Sequence, residues 1–271
     1  MQSIAKEMNF SESTFVLPAE RPDTDVRMRI FTPGDELPMA GHPTIGTTFA
    51  LARTGLLAPP RDRLVFGLNV GPIPVSLTWR GDELAFAWMT QLTPTFGPPI
   101  GNVRGAAAML GLPDEAIART GLPIQMVSCG LPSVFVPIAT RREVDQAVLE
   151  RAAWSAFMDA LEDPPDCAFF FSVDVGADGA TAYSRMFAPS LGIGEDPATG
   201  GASGPLGCYL VRHGVVTAEQ AGAMLSVQGV KMGRPSHVHI SIGVEQDEIV
   251  SVRVGGESVF AGEGFLYVGE R

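Results

Sequence analysis

Two short stretches of this chain carry side chains that could bind a small anion and handle its protons. In Gly194-Glu195-Asp196-Pro197-Ala198-Thr199-Gly200-Gly201-Ala202-Ser203-Gly204-Pro205 an acidic pair runs into small residues, and the apolar segment Leu206-Gly207-Cys208-Tyr209-Leu210-Val211 follows. The pattern predicts a loop feeding the N-terminus of a buried helix. Such a terminus leaves backbone N–H groups unpaired and carries partial positive charge, so it attracts anions. In Met39-Ala40-Gly41-His42-Pro43-Thr44-Ile45-Gly46 a Gly-His-Pro turn opens a second apolar segment, with Pro43 suited to the first helical turn and Gly55 to the stop. Taken singly, the polar residues have plainer readings. Asp196 is a good helix cap, His42 is a loop imidazole that backbone groups could satisfy, and Glu12 is a capping or surface carboxylate.

The two stretches repeat one plan. The segments beginning at His42 and Gly201 align without gaps at an offset of 159 residues, matching Gly41 with Gly200, Leu51 with Leu210, Arg53 with Arg212 and Gly55 with Gly214. Upstream, Arg29-Ile30-Phe31-Thr32-Pro33 matches Arg185-Met186-Phe187-Ala188-Pro189 at an offset of 156. Each half could then wrap a curved sheet around its own central helix, setting two helix N-termini toward one cleft. A small carboxylate between them would receive N–H groups from both sides.

The elements that must position these loops are mostly short strands. Alternating or apolar runs predict strands at Arg27–Phe31, Leu64–Phe66, Ile73–Trp79, Leu84–Met89, Cys167–Val173, Thr181–Phe187, Ala223–Gln228, Val238–Ile242, Ile249–Val254 and Phe265–Val268. Helices are expected at residues 1–8, Arg104–Leu110, Pro113–Arg119, Arg141–Leu149 and Arg151–Leu161. Many short strands around two buried helices predict an α+β fold. The Pro94–Gly101 stretch, with its prolines, is the expected linker, dividing the chain into residues 1–97 and 98–271, with the last strand packing back on the first domain.

Composition narrows the function. The 271 residues are 45% apolar and 18% charged with a net charge of −11, which disfavours a nucleic-acid surface. No apolar run is long enough for a membrane span, and Met1-Gln2-Ser3-Ile4-Ala5-Lys6-Glu7 is too polar for a signal peptide. Cys129, Cys167 and Cys208 are odd in number and scattered, which predicts reduced thiols in a cytoplasmic protein. The four histidines form no local metal motif, and His237 and His239 read as one strand face.

Three motifs, in order along nearly the whole chain, resemble the phenazine-biosynthesis isomerase (PhzF-like) family, which has the diaminopimelate epimerase fold. They are Met8-Asn9-Phe10-Ser11-Glu12-Ser13-Thr14-Phe15-Val16, then Phe31-Thr32-Pro33 with Glu36-Leu37-Pro38-Met39-Ala40-Gly41-His42-Pro43-Thr44-Ile45-Gly46, then Glu195-Asp196-Pro197-Ala198-Thr199-Gly200. Gln228-Gly229-Val230-Lys231-Met232-Gly233-Arg234-Pro235-Ser236 adds to them. The resemblance implies two pseudo-symmetric domains, each a barrel-like sheet around a central helix, an active site in the cleft, and a homodimer. It implies a cofactor-free isomerase or epimerase of a small carboxylate, with no metal and Glu12, His42 and Asp196 as catalytic residues. Gly41, Thr199, Gly200 and Gly201 would bind substrate. Related epimerases use two cysteines, which neither helix-start loop carries. Burial in an apolar cleft is expected to raise the pKa of Glu12 and suit it to acid/base work.

Two departures support a rival reading, a PhzF-like binding or regulatory protein with impaired turnover. Gly201 stands where the family commonly has serine. Family members also usually begin with a strand, a Gly-Asn-Pro turn, another strand and most of a helix before the Ser-Glu-Ser segment, so the first domain is expected to be N-terminally truncated.

Overall fold

The computed structural model describes residues 1–267. In chain order these form α1 (Gln2–Met8), β1 (Ser13–Pro18), β2 (Val26–Phe31), β3 (Glu36–Leu37), α2 (Gly41–Arg53), β4 (Arg63–Leu68), β5 (Gly71–Arg80), β6 (Glu83–Gln91) and β7 (Thr95–Ile100). There follow α3 (Val103–Met109), α4 (Glu115–Ala118), β8 (Ile124–Ser128), β9 (Pro132–Pro137), α5 (Arg141–Gln146), α6 (Arg151–Met158), β10 (Ala168–Ser172) and β11 (Ala182–Phe187). The last elements are α7 (Gly200–Arg212), β12 (Met224–Gln228), β13 (Ser236–Glu245) and β14 (Glu248–Gly256).

This is an α+β fold with one large curved sheet. Among the described residues the strand order is β1-β2-β4-β5-β6-β14-β13-β12-β11-β10-β9-β8-β7, with β3 attached to β2. The pseudo-symmetry is visible in the pairing. β1 runs antiparallel to β2, β2 parallel to β4, and β4, β5 and β6 are successively antiparallel. In the same way β10 runs antiparallel to β11, β11 parallel to β12, and β12, β13 and β14 are successively antiparallel. The two sets join where β14 pairs with β6. Helices α2 and α7 both have 13 residues, and Gly41 and Gly200 start them in matching register.

Helix α7 shows how sequence sets packing. Ten of its residues are buried, so protein must surround it on nearly all sides. Small residues admit it: a Cβ on Gly207 would lie 2.5 Å from Cγ2 of Ile240, and one on Gly204 would overlap the Gln91 side chain. Gly200–Pro205 thus forms the first part of the helix, in line with the helix start that the alignment sets at Gly201. Glycine's low helix propensity is overridden by the close approach that only it allows.

Strand β10 separates two cores. Phe169 and Phe171 face the cluster around Tyr209 of α7, whereas Phe170 joins Trp154 and Phe157 of α6 and Ala106 of α3 on the other face. The side-chain period of two, with helices on both faces, explains why every residue of Ala168–Ser172 is buried.

Two local expectations are corrected. Pro94–Gly101 contains strand β7, paired with β8 through a register shift, and is not an irregular linker. Its prolines are tolerated because β7 is the outermost strand, where a missing N–H breaks no central ladder. Phe265–Tyr267 form no strand and are exposed, and Val268 lies outside the described residues. No helix among the described residues is long and apolar enough to cross a membrane. All three cysteines are free, with Cys129 Sγ and Cys208 Sγ 3.9 Å apart in the core.

Candidate active site

The starts of α2 and α7 touch. A Cβ placed on Gly41 would stand 2.5 Å from Cα of Gly200 and 2.7 Å from N of Gly201; one on Gly200 would stand 3.0 Å from Cα of Gly41. Hydrogen is the only side chain that permits this approach. The residues preceding the helices, Ala40 and Thr199, make no side-chain cap, which leaves amides at the helix starts, such as those of Gly200 and Gly201, for another acceptor. Both starts border a cleft of about 1010 Å³, with Glu12, Gly41, His42, Pro197, Ala198 and Gly200 at its head.

Three titratable groups converge there. Glu12 lies just before β1, whose Thr14 hydroxyl is 2.8 Å from that of Thr47 on α2. His42 is the second residue of α2, and Asp196 lies in the loop before α7. Nε2 of His42 is 3.1 Å from Oε2 of Glu12, whose side chain is 6% exposed against 33% for His42. Asp196 is buried at 2% exposure; its Oδ2 accepts a 2.7 Å hydrogen bond from the Thr199 hydroxyl, while Oδ1 has no partner.

The charges of the three are linked. Burial opposes charge on His42, but Glu12, Asp196 and the Ala198 backbone outweigh it and raise the imidazole pKa from 6.5 to about 9. Burial by itself would raise Glu12, as the sequence led one to expect. The adjoining imidazole reverses this, and Glu12 is held below its ordinary value. Burial raises Asp196, with His42 opposing and the Glu12 carboxylate adding to the rise. Two carboxylates thus have environments that push their pKa values apart, the arrangement expected where one serves as base.

The loops are clamped by residues that local sequence reading did not single out for a role. Gln228, at the end of β12 and fully buried, donates from Nε2 to the Asp196 carbonyl and the Thr199 hydroxyl, both at 2.8 Å. Its Oε1 accepts from the Thr199 amide at 2.9 Å. Gln91 on β6 donates to the Gly200 carbonyl at 2.9 Å. Arg185 grips Glu195 with two 2.8 Å hydrogen bonds and also donates to the Val144 and Ala147 carbonyls. Arg29 and Glu36 form the equivalent fork in the first half. The available signal was a polar residue closing a buried strand, as at Gln228. Replacing Gln228 by Leu leaves Asp196 O and Thr199 N unpaired, so a loss of about 2 kcal/mol in stability is expected by chemical denaturation.

The remaining sequence candidates divide. Gly41 and Gly200 line the cleft, whereas Thr199 and Gly201 do not. Thr199 instead braces Asp196. A Cβ on Gly201 would meet nothing within 4 Å, so the position has room for a side chain. Asp196 is also absent from the cleft wall, which Pro197 and Ala198 form at that point. One oxygen of each carboxylate and a nitrogen of His42 lie within 4.8 Å of one another, a set that could hold a divalent cation. Metal ligation would require neutral imidazole and would compete with the proton that the two carboxylates favour on His42.

Comparison with known proteins agrees with this architecture. Residues 1–264 match the profile of the family described as phenazine biosynthesis-like protein. The trans-2,3-dihydro-3-hydroxyanthranilate isomerase of Pseudomonas aeruginosa is 36% identical over 273 residues, covering 99% of this chain and 88% of that protein. An uncharacterized isomerase of Escherichia coli is 31% identical, covering 96% of this chain and 85% of its own length. The crystal structure of a Bacillus anthracis phenazine biosynthesis protein of the PhzF family superposes with a TM-score of 0.84 at 27% identity, covering 99% of this chain and 88% of that one. A hydroxyproline epimerase from Agrobacterium vitis shares the fold, with a TM-score of 0.66 at 15% identity over 93% of this chain and 73% of that one.

Proposed function

The chain belongs to the phenazine biosynthesis-like family of isomerases, and from that premise we propose that it moves a proton within a small carboxylate substrate, with Glu12 as acid and base. The convergence of Glu12, His42 and Asp196 beside two uncapped helix starts carries this reading. Ionised Glu12 removes a proton from a C–H adjacent to a carboxyl or conjugated group. The electron pair delocalises, and the amides at the starts of α2 and α7 hold the developing negative charge. Glu12, now protonated, exchanges that proton with water in the cleft and delivers a proton to a different carbon, which completes the isomerisation with no net change in protons. His42 in its protonated form balances the charge of Glu12 and orients a substrate hydroxyl or amino group. Asp196, behind the cleft wall, acts through His42.

The substrate of the Pseudomonas relative is the first to test. Incubation of trans-2,3-dihydro-3-hydroxyanthranilate and other candidate carboxylates in D₂O, followed by NMR, should show deuterium entering a carbon position. Absence of exchange in every carboxylate that demonstrably binds would overturn the proposal in favour of a binding protein.

A pH dependence follows from His42. Its pKa is raised from 6.5 to about 9, so the folded protein binds this proton more tightly than the unfolded chain. The resulting stability is complete below about pH 6.5 and is lost as pH rises through about 9. Tm should fall over that window in wild type and fall less in His42→Gln, as read by calorimetry. The alkaline limb of kcat/KM should lie near the same upper value and vanish in the variant.

A further inference from the structure

Arg234 is the arginine among the described residues that line the cleft. It follows the turn from Gly229, which adopts φ +76°, and its amide donates to the Gly229 carbonyl at 3.0 Å. The turn is pressed against the catalytic loop: a Cβ on Gly229 would strike the Arg234 carbonyl and come within 2.8 Å of the Pro197 carbonyl. The backbone carrying Arg234 is therefore fixed relative to the loop that carries Asp196. Arg185 and Arg29 are committed to Glu195 and Glu36, whereas Arg234 has no carboxylate within 4 Å among the described residues. It is exposed at the rim of a protein with a net charge of −11. Such a net charge repels anionic substrates, and a local cation at the mouth offsets that field where it matters. Glu257 also lines the cleft, but it forms no ion pair with Arg234.

We propose that Arg234 draws anionic substrates to the cleft mouth and adds to the preference of the helix-start amides for anionic over neutral ligands. This role rests on the carboxylate reading of the site, and it governs KM more than kcat because the guanidinium is not part of the proton-transfer cluster.

Two probes of matched shape test it: anthranilate and its uncharged counterpart anthranilamide, with binding measured by calorimetry at low ionic strength. Wild type should prefer the anion, with about fivefold of that preference supplied by Arg234, the size expected for one solvent-exposed charge pair. Arg234→Gln should lower the preference by that factor, and added salt should weaken the Arg234 contribution in wild type. Lys231→Gln, on the same turn but outside the cleft wall, should retain it. A preference that is unchanged in Arg234→Gln, falls equally in Lys231→Gln, or is absent from wild type overturns the proposal. Deuterium exchange into trans-2,3-dihydro-3-hydroxyanthranilate separates the two ideas. Exchange with a preference unchanged by Arg234→Gln removes Arg234 alone; a preference lowered by Arg234→Gln without exchange into any bound carboxylate removes the isomerase reading and leaves Arg234 as a binding residue.

Discussion

Glu12→Gln should reduce solvent deuterium exchange into the substrate by about 10³-fold or more, because one carboxylate is assigned both proton abstraction and return. The amide is nearly isosteric but cannot accept the proton. Substrate binding should survive, since the helix-start amides and Arg234 are untouched. The change should also release His42 from its closest counter-charge, so its pKa should move down from about 9. NMR titration of the imidazole provides that second readout. Exchange at the wild-type rate in a folded Glu12→Gln protein would remove Glu12 from the chemistry, whatever the state of His42.

Gly41→Ala should be the most damaging single methyl group in the site. The new Cβ would sit 2.5 Å from Cα of Gly200 and 2.6 Å from its carbonyl carbon, backbone atoms that cannot swing aside. The two helices must separate, and Gly200 is already tied through its carbonyl to buried Gln91. A stability loss of about 3 kcal/mol or more is expected in denaturant melts. Activity should fall by about 10²-fold in molecules that remain folded, because roughly 1 Å of displacement at a reacting centre is enough to do so. Gly201→Ser is the contrasting control. That position has open space, and the hydroxyl should be accepted with little change in stability.

The difference between these two glycines marks what could be read locally. Both belong to a small-residue run at a helix start, and nothing in their neighbours distinguishes the one that touches another backbone. The alignment of Gly41 with Gly200 indicated that the two helices begin equivalently, and α2 and α7 do begin there. It contained no information about their separation. Glu12 offers a similar case. Its expected burial in an apolar cleft pointed to a raised pKa, and the direction reversed because His42, thirty positions away, is its neighbour in space. Pro94–Gly101 read as a linker from its prolines, since composition alone does not reveal that β7 is an edge strand.

By itself the sequence determined most of the strands and helices, the two matched helix starts, and the motif series that identifies the family. These are properties of local period, turn chemistry and residue order, which survive in one dimension. Only the tertiary structure decided which groups share a charge, which glycines have no space for a methyl, and which buried polar residues hold the loops. Gln228, Gln91 and Arg185 are separated along the chain from the atoms they grip, by 32 residues between Gln228 and Asp196 and 109 between Gln91 and Gly200. Their roles follow from desolvation and close packing, which depend on distances through space that no local pattern encodes.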